Sequence, residues 1–227
     1  MPGRPIETPS FLRYPLSHVL ATGSHVKVLR WLVRQGRPLA TSQLARLAGL
    51  STQGVRNVLA ALTSQGLIST LGEGRAQVHA LRQEHPLGPA LLALFEAERT
   101  RWLALTEGLQ RVLRERGGVR AAWVYGSVAR SGDQPGSDLD LVVVLDDDAP
   151  QERASELRDA LAEFGRHQDV HVSSVLLSMN DALDPVRSSS PWWKSVVQDA
   201  WPLIGPDPLA LSSPQLRSRP ATIDVAS

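Results

Sequence analysis

The sequence predicts an α+β protein of two domains. The first is helical and ends in a β-hairpin, and the second is built on a small mixed sheet flanked by helices. Apolar residues recur at helical spacing over residues 15–116, whereas residues 119–177 contain short apolar runs between polar loops. The charge divides the chain too, since residues 1–120 hold 16 Lys/Arg and 7 Asp/Glu, and residues 121–227 hold 8 and 16. A basic half suits a polyanion, so we expect the halves to have different roles.

Composition excludes several classes of protein. The chain has 227 residues and no cysteine, which excludes disulfides, thiolate zinc sites and cysteine nucleophiles. The N-terminus lacks the apolar core of a signal peptide, and no apolar run approaches the ~20 residues that span a bilayer. We therefore expect a cytoplasmic protein without a membrane partner.

Residues 1–14 are Pro-rich and are expected to form an arm. The pattern over residues 15–84 predicts three helices and a hairpin. The first helix starts at a Ser24 cap and ends near Gly36, the second starts at a cap on Thr41 or Ser42, and the third follows a Ser51 cap over 52–65. Two short strands then flank the Gly-rich turn LGEGR.

This order of elements resembles a MarR-like winged helix-turn-helix, which implies binding to double-stranded DNA. Residues 1–82 support it with ten Lys/Arg against two acids. The solvent face of the third helix offers side chains that suit a major groove, and Arg75 at the hairpin tip is placed like a wing arginine. The candidate DNA-binding residues are Thr52, Gln53, Arg56, Asn57 and Arg75. A helical protein-interaction module with a solvated polar face is the alternative.

Residues 85–117 are expected to form a long connecting helix, broadly apolar and ended by Gly117-Gly118. Its apolar surface could pack on the second domain, join two copies of the chain, or both. We expect a homodimer that binds two DNA half-sites.

Residues 118–206 are expected to form the second domain. An apolar strand over 119–125 breaks at Gly126-Ser127, and a second strand over 139–145 begins with Asp138 and Asp140. Residues two apart on a strand share a face, so both carboxylates should project together beside the Gly-Ser turn. Mg²⁺ prefers oxygen ligands of this kind, and a Gly-Ser turn supplies N–H groups and a hydroxyl for phosphates.

The pattern G-S-x-A-R, seven residues and D-x-D-L resembles the minimal nucleotidyltransferase domain of the DNA polymerase β superfamily. The matching residues are Gly126, Ser127, Ala129, Arg130, Ser137, Asp138, Asp140 and Leu141, and Ser131 departs from the usual Gly. The resemblance implies that Asp138 and Asp140 hold Mg²⁺ or Mn²⁺ and that Gly126, Ser127, Arg130 and Ser137 bind a nucleoside triphosphate. It further implies transfer of a nucleoside monophosphate to a hydroxyl acceptor, for which a protein is one candidate.

The third strand departs from the family pattern, because His171 stands where active members have a third acid. His171 could act as a general base or be a spectator, and Asp169, two residues earlier, could substitute for the acid. A second hypothesis therefore stands beside the enzyme: a transcriptional regulator whose degenerate transferase-like domain only senses nucleotide or mediates assembly.

The remaining pattern predicts a helix over 151–164, a strand over 170–177 and a helix around 192–199. The acids Asp146, Asp147 and Asp148 are expected to be a solvated strand exit. Residues 207–227 lack periodicity and are expected to form a disordered tail.

Overall fold

The computed structural model of the chain describes residues 15–147, 151–184 and 189–211. The predicted arm at 1–14, Asp148 and residues 212–227 of the predicted tail lie outside the described residues. The chain divides between Arg101 and Trp102 into two compact units. Each unit has its own buried core.

The first unit contains the helices and the hairpin that the sequence predicts. Its elements are α1 Leu16–Val19, α2 Gly23–Gln35, β1 Leu39–Ala40, α3 Thr41–Ala48, α4 Thr52–Ser64, β2 Ile68–Leu71 and β3 Val78–Leu81. The strands are antiparallel in the order β1-β3-β2. The short strand β1 was not predicted, because two residues carry no detectable alternation.

Apolar residues at helical spacing on α2, α3 and α4 form the core of this unit. They are fully or almost fully buried, and each such side chain contributes roughly 1.5–3 kcal/mol of transfer free energy. The core includes Val28, Leu29, Leu32, Leu44, Val55, Val58, Leu59 and Leu62.

The helix starts agree with the predicted caps in one case out of three. Ser51 caps α4 as predicted, accepting from the Gly54 N–H at 3.0 Å. Thr22, and not Ser24, caps α2 by accepting from the His25 N–H at 3.3 Å. At α3 the cap residue is Ala40, because the Thr41 hydroxyl hydrogen-bonds to the His79 ring on β3 at 3.1 Å.

The predicted connecting helix is found as α5, Gly88–Glu115. It does not stand apart from the two units. Within the first unit its residues Leu91 and Phe95 are buried, and Arg30 donates two hydrogen bonds to Glu98 at 2.6 and 2.7 Å. Within the second unit its C-terminal part buries Leu105, Leu109 and Leu113.

After α5, the second unit contains β4 Val119–Tyr125, α6 Gly126–Ala129, β5 Leu139–Leu145, α7 Gln151–His167, β6 Val172–Ser178, α8 Met179–Leu183, α9 Pro191–Asp199, β7 Trp201–Ile204 and α10 Pro208–Leu211. Its strands form a mixed sheet in the order β6-β5-β4-β7. β5 and β6 are parallel and joined through α7, whereas β4 pairs antiparallel with both β5 and β7. This confirms the predicted mixed sheet, in which the apolar strand β5 lies between β6 and β4.

Alternate residues of β4 and β5 enter two separate cores. Ala122, Val124, Leu141 and Val143 pack with the C-terminal part of α5 and with α7. The opposite face, which carries Trp123, Val142 and Val144, packs with Trp193 and Val196 of α9. Asp140 has the parity of Val142, so its side chain belongs to the face covered by α9.

The end of this unit corrects the predicted tail. α10 lies inside residues 207–227, and Leu211 is buried in the same core as Trp123. The Trp123 indole N–H donates to the Pro206 carbonyl at 2.8 Å, which fixes the chain just before α10. A four-residue helix is too short to show periodicity, so the sequence pattern does not indicate it.

The prediction for the acids after β5 is also corrected. Asp146 forms an ion pair with Arg120, and Asp147 accepts a hydrogen bond from the Asn180 N–H of α8 at 2.7 Å. These two residues therefore connect β4, β5 and α8 and are not merely a solvated strand exit.

None of the helices in the described part of the chain combines the length and the apolar character that crossing a membrane requires.

Candidate active site

The sheet brings the Gly-Ser turn and the two acids together. Tyr125, the last residue of β4, pairs with Asp140 near the start of β5, so Gly126 begins α6 directly beside that carboxylate. Asp138 lies immediately before β5. The juxtaposition that the sequence predicts is therefore present.

A side chain at Gly126 would displace the Asp140 carboxylate. Gly126 has a φ of +75°, and a Cβ built on it would clash with the Asp140 carboxylate. Glycine meets both requirements because it has no Cβ and adopts the left-handed region readily. The backbone of the turn consequently lies against the acid.

The two acids influence each other electrostatically. Partial burial and the neighbouring charge of Asp138 raise the pKa of Asp140, and the charge of Arg130 opposes the rise. Two carboxylates held this close destabilise each other when both are ionised. A bound cation would relieve that repulsion, so this donor pair fits a divalent metal.

His171 lies next to Asp138. The Leu139 N–H donates to the His171 carbonyl at 2.8 Å, in the parallel register that pairs Leu139 with Val172. The His171 Nδ1 atom is 2.9 Å from Asp138 Oδ1, and the side chains are 74% and 47% exposed. The ring thus stands across from the first acid of the pair. Among the described residues, no group of three or more His, Cys, Asp or Glu side chains is arranged to hold a metal.

Asp169 does not lie on the third strand. Strand β6 begins at Val172, and Asp169 occupies the turn after α7 with a φ of +52°. A left-handed residue cannot continue a strand, so Asp169 lies outside the third strand. Asp169 is exposed in that turn.

Two other predicted nucleotide-binding residues have partners in the protein. Arg130 Nη1 donates to Asp199 Oδ2 on α9 at 2.5 Å. The Ser137 hydroxyl accepts from the Gln134 N–H at 2.9 Å, and the Ser137 N–H donates to the Gln134 carbonyl at 2.9 Å. Ser137 thereby closes the loop that leads to Asp138.

Ser131 has a φ of +57°. The family pattern has glycine at this place, and the left-handed backbone gives the reason. A non-glycine residue in this region costs on the order of 1 kcal/mol or more.

Asp199 and Ser195 are the residues of this region that sequence reasoning missed. Both lie on α9, and the Ser195 hydroxyl is 3.4 Å from the Asp199 carboxylate. The helix itself was predicted near 192–199, but nothing in its pattern indicates that its last residue reaches Arg130.

In the first unit, the four candidate DNA-binding residues of α4 are exposed, but they divide into two pairs. Gln53 donates a hydrogen bond to Asn57 at 2.9 Å. Thr52 and Arg56 line a cleft of about 900 Å³ between α4, the start of α3 and the hairpin. Arg75 lies in the 3₁₀ turn Gly74–Ala76 at the hairpin tip, and its side chain is outside the described part of the chain.

Comparison with protein families matches residues 107–183 to the model described as "Polymerase beta, Nucleotidyltransferase". The match covers the Gly-Ser turn, both acids and His171, about a third of the chain. No curated protein sequence matches the chain.

Three solved structures share a low level of similarity with the chain. A toxin–antitoxin structure with AMP-PNP is 21% identical over 47% of this chain and 80% of that chain, with a TM-score of 0.35. A mutant of the toxin–antitoxin MntA-HpeT is 19% identical over 47% and 80%, with a TM-score of 0.34. NadR in complex with 4-hydroxyphenylacetate is 19% identical over 48% and 86%, with a TM-score of 0.33.

Proposed function

We propose that this nucleotidyltransferase-type domain binds a nucleoside triphosphate with Mg²⁺ or Mn²⁺ and transfers the nucleoside monophosphate to a hydroxyl acceptor. The observation that carries the proposal is the contact between the Gly126 backbone and the Asp140 carboxylate. Asp138 lies two residues before Asp140 along the chain. A backbone turn beside paired acids offers N–H donors for phosphates and oxygen ligands for a cation at one place.

Asp138 and Asp140 would hold the divalent ion, since their mutual repulsion disfavours the doubly ionised pair without one. When bound, the ion would neutralise the charge that develops on the transferred phosphoryl group. Gly126 offers its backbone to the phosphates without steric conflict, and the Ser127 hydroxyl and the Arg130 guanidinium are donors on the same short segment.

In the transfer, the acceptor oxygen forms a bond to the α-phosphorus and the bond from that phosphorus to the bridging oxygen breaks. Pyrophosphate leaves with the bond's electron pair. The acceptor's proton passes to His171, whose Nδ1 is oriented by Asp138 at 2.9 Å. Its Nε2 has no hydrogen-bond partner in the part of the chain that the structure describes, and a neutral imidazole accepts a proton there. A hydroxyl on a protein is one acceptor.

A second candidate is a nucleotide-sensing regulator without transfer. The specific observation in its favour is His171 itself, which stands opposite Asp138 where the resemblance expects a third carboxylate. With one acid fewer, the site could retain nucleotide binding and lose the chemistry.

We also propose that the first unit binds double-stranded DNA as a winged helix-turn-helix and does so as a homodimer. The support is its excess of basic residues and the exposed polar face of α4, where Thr52 and Arg56 line the cleft and Gln53 donates a hydrogen bond to Asn57. Arg75 at the hairpin tip belongs to the same proposed surface. Sedimentation of the chain with and without DNA tests the dimer.

The first experiment is thermal unfolding of the full chain with each nucleoside triphosphate, with and without Mg²⁺. A ligand that binds only the folded state stabilises it by RT ln(1 + [L]/Kd), so binding is detected without knowledge of the acceptor. We expect a Mg²⁺-dependent rise in Tm that Asp138→Ala/Asp140→Ala abolishes and that Asp159→Asn, at an exposed position on α7, retains.

Transfer is then measured with a nucleoside triphosphate labelled at the α-phosphate. A lysate of the cells that naturally contain this protein supplies the acceptors. Label in protein that depends on Asp138 and falls at least tenfold in His171→Ala supports the enzyme. A Tm shift without label supports the sensor. No shift with any nucleotide would contradict both.

A further inference from the structure

The contact between Arg130 and Asp199 points to a residue of the site that the family match does not contain. Asp199 lies 16 positions beyond the last matched residue, 183, on a different helix. We infer that Asp199 is a positioning residue that holds the Arg130 guanidinium for the β- and γ-phosphates of the bound triphosphate. This inference rests on the proposed function.

The Asp199 carboxylate is a rigid anchor. Its side chain is 11% exposed, and it accepts from Arg130 at 2.5 Å and from the Ser195 hydroxyl at 3.4 Å. Helix α9 itself is fixed at its start, where the Trp193 N–H donates to the Ser190 hydroxyl at 3.1 Å, and by the buried Trp193 and Val196. A carboxylate fixed in this way restricts the conformations of any cation paired with it.

Arg130, by contrast, keeps donors available. Its side chain is 52% exposed, and Nη1 is the atom that bonds to Asp199. A guanidinium has five N–H donors in a planar fork, so the remaining ones can take a phosphate while Nη1 stays on the carboxylate. The exposed fraction, and the engagement of one guanidinium nitrogen among the residues that the structure describes, distinguish Arg130 from an arginine used only for packing.

The guanidinium is also close to the acid pair. Burial and the charge of Asp138 raise the pKa of Asp140, and among the charges that act on that carboxyl Arg130 is the one that lowers it. The Arg130 N–H bonds to the Gly126 carbonyl at 3.2 Å, which ties its backbone to the turn beside Asp140. Arg130 therefore lies between the acid pair and α9, and Asp199 determines where its side chain points.

The test measures binding of ATP and of AMP, each with Mg²⁺, to the full chain by calorimetry. The variants are Arg130→Ala, Asp199→Asn and the double variant. Asp159→Asn is the control for loss of one negative charge. Asp199→Asn retains the shape of the side chain, so the fold should survive, and urea unfolding verifies this.

We expect Asp199→Asn to raise the Kd for ATP about tenfold, the order of one charge-assisted hydrogen bond, and to leave the Kd for AMP unchanged. The double variant should bind ATP no more weakly than Arg130→Ala alone, because each change removes the same contact between the guanidinium and the phosphates. In the transfer assay KM should rise more than kcat falls, and Asp199→Glu should restore part of the ATP affinity.

Three results would overturn the inference. One is wild-type affinity for ATP in Asp199→Asn, and another is an equal loss for ATP and AMP together with reduced stability, which indicates a purely structural role. The third is full additivity of the two single variants. Failure of the wild-type chain to bind ATP at all would instead refute the proposed function, and this inference with it.

Discussion

At the scale of single residues, Asp140 is held in an environment that disfavours its charge. Partial burial and the neighbouring Asp138 raise its pKa, more than Arg130 lowers it. The folded state therefore binds this proton more tightly than the unfolded chain does. By linkage, stability falls as the pH rises from the ordinary aspartate pKa through the raised one, and the loss is complete above that window.

We predict that Asp140→Asn stabilises the protein at pH 7 in the absence of divalent cations. An uncharged amide removes the repulsion with Asp138 and the cost of burying the charge. Urea unfolding from pH 3 to 7 should show that the variant's advantage is small at pH 3 and grows with pH. Asp159→Asn, which leaves the Asp138–Asp140 pair intact, is the control for loss of one carboxylate. Lower stability of Asp140→Asn at pH 7 would contradict the interpretation of the acid pair.

Gly126 supplies the second residue-scale prediction. Gly126→Ala adds a Cβ that meets the Asp140 carboxylate, whereas Gly136→Ala adds one with nothing within 4 Å, and both glycines have positive φ. Each alanine should cost on the order of 1 kcal/mol in backbone strain. Only Gly126→Ala should also abolish the Mg²⁺-dependent Tm shift with nucleotide. Retention of the full shift in Gly126→Ala would show that the turn does not face the ligand.

At the scale of elements, the contact of α5 with α7 is fixed by a glycine. A Cβ on Gly108 of α5 would clash with the Phe164 ring of α7. Alanine is the better helix former by about 1 kcal/mol, so local propensity alone would predict that Gly108→Ala stabilises the protein.

We predict the opposite sign. Gly108→Ala should lower the free energy of unfolding by about 1–3 kcal/mol, because the half-buried Phe164 ring must leave its place against the core. Adding Phe164→Leu to Gly108→Ala should recover part of the loss, and chemical denaturation measures both. If Gly108→Ala stabilises the protein, the two helices are not packed at this distance in solution.

At the scale of the whole molecule, the two units carry opposite charge and separate cores, which supports separate roles. The basic excess lies in the part of the chain that contains α4, and the paired acids lie in the second unit. Long-range electrostatics alone would draw a polyanion to the first unit and keep it from the second.

We therefore predict that single changes affect one activity each. Asp138→Ala should abolish the nucleotide-dependent Tm shift and leave DNA affinity unchanged. Arg56→Ala should weaken a specific DNA site by ~1–3 kcal/mol if it contacts a base, and should weaken all sequences alike if it contacts a phosphate. Filter binding across salt concentrations separates these cases. Loss of DNA binding in Asp138→Ala at wild-type stability would contradict the two-module organisation.

The sequence by itself determined the parts of this protein that depend on local pattern. Val119–Tyr125 and Leu139–Leu145 are apolar runs interrupted only by Arg120 and Asp140, so their strands were predicted to the residue. The Gly126-Ser127 turn and the spacing of Asp138 and Asp140 are likewise local, because a strand's period of two fixes which side chains share a face. Helical spacing located α2, α4 and α5 for the same reason.

Only the tertiary structure decided the features that join residues distant along the chain. The short elements β1 and α10 exist because neighbouring strands and the core around Trp123 stabilise them. Asp169 lies in a turn outside the third strand, and Arg130 forms an ion pair with Asp199, 69 positions away. Local periodicity indicates neither feature. Such contacts depend on how whole elements pack, and the free energy of packing is not a property of any short window of sequence.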